Sequence, residues 1–134
     1  MKISTSLASA WAQTFLSEIV AGSTANPKIE IYSGTMPATV SGTPGGTLLA
    51  ELELTQTAGS ESDGTITFDP IADDDEANGS GEASWGRILN RDGDAVGLFS
   101  VSNTSGNGEL QLSTTTFVEG LPVSISSASI QVGD

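Results

Sequence analysis

From Ile3 to Val20 the large apolar residues fall three and four apart, at Ile3, Leu7, Trp11, Phe15 and Ile19, with Leu16 and Val20 widening the stripe. That spacing returns once per helical turn and predicts an amphipathic α-helix with Trp11 and Phe15 on its apolar stripe. Ser4 or Ser6 supplies an N-cap hydroxyl, Gly22 a left-handed stop, and Asn26-Pro27 prevents continuation.

Beyond Pro27 the period drops to two. Ile29 and Ile31 share one side of a strand and Lys28 and Glu30 the other. The Gly-, Pro- and Thr-rich stretch 33–46 reads as an irregular surface loop. In 47–55, Leu48, Ala50, Leu52 and Leu54 alternate with Leu49, Glu51 and Glu53, so one face is apolar and the other largely acidic. Ile66 and Phe68 repeat the alternation before Pro70.

Residues 83–98 read as strand, turn, strand around Asn90-Arg91-Asp92-Gly93-Asp94, with Trp85, Ile88, Val96 and Leu98 as core contributions. Further strands are expected at 109–114, through Leu110 and Leu112, and at 121–132. There Leu121, Val123 and Ile125 share one parity and Ala128, Ile130 and Val132 the other. The inward face should therefore switch near Ser126-Ser127, through a bulge or a change of sheet. Seven or eight short strands and one helix predict a mainly β fold, an antiparallel β-sandwich or jelly-roll-like domain with one N-terminal amphipathic α-helix. The expected organisation is a single domain over 1–134, with the helix in 1–22 and the sandwich in 28–132.

Composition narrows the chemistry. There is no cysteine and no histidine, which removes disulfides, thiolate metal sites and the side chain most used for general base catalysis near neutral pH. Seventeen acidic residues against Lys2, Lys28, Arg87 and Arg91 give a formal charge of −13. That field repels phosphate backbones and anionic lipid headgroups, so neither nucleic acid nor a membrane is an expected partner. No apolar run approaches the roughly 20 residues needed to span a bilayer, and the start does not read as a signal peptide. The expected product is soluble in the cytoplasm where it is made.

The sharpest chemical feature is Asp73-Asp74-Asp75-Glu76-Ala77-Asn78-Gly79. Alternate oxygen ligands followed by glycine resemble the start of a calcium loop, with Asp74, Glu76 and Asn78 at the first ligand positions. The twelfth position is Trp85 where a bidentate glutamate belongs, so the competing reading is an acidic solvated loop. Carboxylate pairs for glycoside hydrolysis are too abundant among 17 acids to be informative, and both tryptophans read as core rather than as sugar platforms. No catalytic residues and no cofactor are expected, with calcium as the one weak candidate.

The run Ile29-Glu30-Ile31-Tyr32-Ser33-Gly34-Thr35-Met36-Pro37-Ala38 and then Gly46-Thr47-Leu48-Leu49-Ala50 resembles a family of small virion proteins of tailed bacteriophages. Ser84-Trp85-Gly86-Arg87-Ile88, Asp92-Gly93-Asp94-Ala95-Val96 and Gly120-Leu121-Pro122-Val123 continue the similarity in order. The resemblance implies a structural, non-enzymatic role in the virion, with the major capsid protein or other virion proteins as partners. A head decoration, or cement, protein in many copies or as a homo-oligomer is the leading expectation. A tail, collar or connector component is the alternative, and a calcium- or carbohydrate-binding adhesin-like module the second. For contact with a shell or a neighbouring copy the candidates are a strand edge or the helix face bearing Trp11 and Phe15. Against this stands the commoner use of such a helix, which is to cover its own sheet.

Overall fold

The computed structural model describes residues 2–72, 74, 76–103, 106, 110–112, 114–123 and 129–131. Among the described residues one helix, α1 (Thr5–Ile19), precedes ten strands: β1 (Lys28–Tyr32), β2 (Leu48–Glu53), β3 (Gly59–Ser62), β4 (Thr65–Phe68), β5 (Gly81–Glu82), β6 (Trp85–Leu89), β7 (Ala95–Asn103), β8 (Leu110–Leu112), β9 (Thr116–Phe117) and β10 (Ser129–Gln131). The fold is mainly β with one N-terminal helix, as the periodicity predicts. The inward-face switch expected near Ser126-Ser127 lies outside the described residues.

The main sheet has five strands in the order β2-β1-β6-β7-β8, a second has the order β10-β4-β3, and β5 pairs with β9. Pairing is antiparallel except between β7 and β8, which run parallel with Val101 opposite Leu110. Because side chains alternate along a strand, Ile29 and Ile31 leave one face of the main sheet while Lys28, Glu30 and Tyr32 leave the other. The inner face joins one apolar cluster with Ala12 and Ile19 of α1 and Ile66 and Phe68 of β4. Helix and second sheet thus close over the main sheet in a sandwich-like arrangement.

The helix begins where expected, with the Ser4 hydroxyl accepting the Leu7 amide. Its buried side, however, is Ala8, Ala12 and Ile19, with Phe15 and Leu16 at the margin. Small alanines let the helix axis approach the β3–β4 hairpin, which rotates the larger Leu7 and Trp11 toward solvent. Trp11 is 41% exposed, so the reading of Trp11 as core is corrected. Phe15 lies on Gly97 of β7, where any side chain would meet its ring at about 3.2 Å.

Two bulges alter the predicted inward residues. Between β1 and β2 the register slips after Ile31, Leu49 is the extra residue, and it is buried where plain alternation turns it outward. Between β6 and β7 the slip at Ile88 makes Val96 the extra residue. Leu98 then stands opposite Arg87 on the outer face, and Phe99 and Val101 fill the core instead. Gly86 is needed beneath Phe99, since a Cβ there would sit 2.7 Å from the ring. Leu121 is a further correction, because it belongs to the turn around Gly120, at φ +87°, and is exposed.

The β3–β4 hairpin went unpredicted because β3 is polar throughout. Its turn is Asp63-Gly64 with φ of 53° and 89°, the two left-handed residues that such a tight hairpin requires.

Candidate functional site

The chemically densest group lies on the outer face of the main sheet. Register sets Glu30 opposite Arg87 and Tyr32 opposite Trp85 across β1 and β6. Arg87 Nε donates to Glu30 Oε1 at 2.6 Å, and the Tyr32 hydroxyl donates to the same oxygen at 2.9 Å. The Tyr32 and Trp85 rings stack 4.5 Å apart and 10° from parallel, the Arg87 guanidinium lies 5.6 Å from the tyrosine centroid, and the indole N–H donates to the Ser33 carbonyl. Glu30 is 8% exposed, which makes it a buried carboxylate held by a charge and a phenol.

Burial, then the hydrogen bond to Glu30 and its charge, push the Tyr32 hydroxyl up to about 12. Burial works to lower the Arg87 guanidinium, but its bond to Glu30 outweighs this and the group is held charged. Both keep their protons through the neutral range, so neither can act as a base there. The group's evident work is to lock two central strands. Beside it lies a cleft of about 190 Å³ lined by Lys28, Glu30, Glu51, Leu89, Arg91 and Asp92, with Lys28 and Glu51 paired at 3.7 Å.

Elsewhere the carboxylates act as clamps between segments distant in sequence. Glu61 accepts from Gln13 and Ser9 and so fastens α1 to β3. Asp69 accepts from Thr57 and Thr55, and Glu82 from Thr115 and Thr116. Asp92 accepts from the Ser23 amide and the Thr24 hydroxyl, tying the chain after α1 to the tip of the β6–β7 hairpin. Donors aimed at the ionised form hold all four acids below their ordinary range.

Of the calcium candidates, Asp74 is engaged in the same way. Asp74 pairs with Val123 through two backbone hydrogen bonds, and its two carboxylate oxygens accept the amides of Glu51 and Glu76. The Asn78 amide donates to the Leu49 carbonyl, while the Glu76 and Asn78 side chains are exposed. Trp85, twelfth in the loop reading, is a buried β6 residue. Among the described residues no three acidic side chains converge on a metal position.

The two contact candidates separate. Phe15 turns inward onto Gly97, whereas Trp11 stands out with Leu7 one turn before it. A second exposed apolar pair, Val118 and Leu121, edges a cleft of about 200 Å³ over Leu112 and Phe117. Sequence reasoning missed the outer-face group, although the alternation of Glu30 and Tyr32 opposite Trp85 and Arg87 was the available signal. No helix among the described residues is long and apolar enough to cross a membrane. Comparison with protein-family models, with curated proteins and with solved structures finds no match to this chain.

Proposed function

We propose that the chain is a non-enzymatic structural protein of a tailed-bacteriophage particle, bound in many copies to the outside of the capsid shell as a decoration protein. The observation that supports this reading is the direction of its charges. Lys28 and Arg87 are ion-paired with Glu51 and Glu30, so two of the four cations are already matched by carboxylates within the fold. With 17 acidic residues against four basic ones, the carboxylates in excess set the sign of the field outside. Such a surface is repelled by packaged DNA, stays soluble at high local density and complements basic patches on a shell.

The carboxylate clamps fit the same role, because they stiffen a small domain that has no disulfide. The resemblance to small virion proteins supports the reading of a particle component, and the acidic exterior favours the outer side of the shell. The test is the position and copy number of the chain in purified particles, by cryo-EM and quantitative mass spectrometry against the major capsid protein. Copies on the exterior in numbers comparable with the shell protein support the proposal. A small ring at the neck or tail refutes it in favour of a connector or tail component, and absence from particles refutes both.

A further inference from the structure

We infer that the outward face of α1, around Leu7 and Trp11, is where this chain packs against a second copy of itself, helix against antiparallel helix. Leu7 and Trp11 are 40% and 41% exposed and lie one turn apart, so they form a continuous apolar strip. Ser6, Ala10 and Thr14 extend the same solvent-facing side without bulk or charge.

Electrostatics selects the occupant. The chain carries −13, yet no charged residue occurs from Ile3 to Ser17. A basic partner would gain nothing from this neutral face, whereas two like-charged copies meet there with the least repulsion. The other exposed apolar pair, Val118 and Leu121, flanks Glu119, so copies meeting there would bring carboxylates together.

Glu61 sits on the Ser9–Gln13 flank of α1, beside this face, and the charges at the two ends of the helix set the direction. Lys2 precedes the helix and Glu18 lies in its last turn, both exposed. An antiparallel pair places each Lys2 near the other copy's Glu18 and opposes the two helix dipoles. A parallel pair would set like charges side by side. The midpoint between those residues is Ala10, so a twofold axis falls there and each copy uses the same face. Each Trp11 then lies level with Ser9 of the second copy, beside the small side chain of its Ala10.

Size fixes the strength. A 15-residue helix is about 22 Å long and about 10–12 Å across, so one face hides roughly 300 Å² per copy. Stable complexes hide about 800 Å² per partner, so the contact is weak in solution, forms at high concentration and is strengthened among copies crowded on a common surface. The inference does not depend on which surface that is.

Sedimentation velocity of the full chain, from about 1 to 500 µM, tests it in low salt and in about 0.5 M NaCl. The expected result is a monomer–dimer equilibrium at the upper concentrations that tightens with salt, because screening relieves the repulsion between copies. Trp11→Ala and Ala10→Glu should each weaken it at least tenfold. Lys2→Glu should also weaken it, and adding Glu18→Lys should restore it. Near-UV circular dichroism from the Tyr32–Trp85 stack confirms that each variant is folded. A monomer at every concentration and salt overturns the inference, as does an oligomer that Trp11→Ala and Ala10→Glu leave unchanged. Neither result bears on the position of the chain in a particle, which the copy-number measurement decides separately.

Discussion

Replacing Arg87 with methionine is the sharpest test of the outer-face group. Methionine keeps most of the apolar stem and removes the guanidinium. Glu30, 8% exposed in the intact protein, then loses the guanidinium and keeps the Tyr32 hydroxyl as its partner. Breaking a buried ion pair from one side costs about 3–5 kcal/mol, because a charge is left behind without compensation. The Arg87 and Glu30 side chains are 22% and 11% exposed, so water softens the loss and the lower end, about 3 kcal/mol, is expected.

With 134 residues and an unfolding entropy of about 2.1 cal/mol/K per residue, that loss lowers the melting temperature by about 10 °C. Urea unfolding followed by tryptophan fluorescence measures it, and an unchanged m-value confirms that the folded state is as compact as before. The double variant Glu30→Gln with Arg87→Met removes the orphaned charge and should be more stable than Arg87→Met alone. A loss below about 1 kcal/mol, or a Glu30→Gln change that adds to the damage, would refute the claim that this pair locks β1 to β6.

Three further outcomes follow from the same geometry. The Tyr32 pKa is raised from 10.0 to about 12, so its contribution is complete below pH 10 and is lost as pH rises toward 12. The loss is about 2.7 kcal/mol, and Tyr32→Phe should abolish this alkaline step in a stability-against-pH curve. Glu61, Asp69, Glu82 and Asp92 have lowered pKa values, so their contribution is present above about pH 4.5 and is lost as pH falls through their folded values. Thermal scans from pH 6 to 3 should show that decline, and Asp92→Asn should flatten part of it. Trp11→Ala should change monomer stability by less than about 1 kcal/mol, whereas Ile19→Ala should cost about 2–5 kcal/mol. Acrylamide should quench Trp11 and spare Trp85, which is 1% exposed; two equally protected tryptophans would contradict the helix orientation.

Local periodicity was sufficient for the helix, its Ser4 cap, β1, β4, the Asn90–Asp94 turn and the irregular loop before β2, because these depend on neighbours within a few residues. The same local signal misplaced Trp11, Leu49, Leu98 and Leu121. The causes are alanines that rotate the helix, bulges that shift alternation by one residue, and a turn at Gly120 that leaves Leu121 outside any described strand. The candidate site divides in the same way.

The sequence shows that 17 carboxylates exist and that histidine and cysteine do not, which bounds the chemistry. Only the fold decides that Glu30 is buried against Arg87, 57 residues away, and that Asp92 grips Ser23 and Thr24, 69 and 68 residues before it. Composition fixes the net charge of the whole chain, since charge adds regardless of conformation. Pairing, burial and the exposure of Leu7 and Trp11 on α1 arise from strand register and helix rotation, which many distant contacts settle together and no local stretch encodes alone.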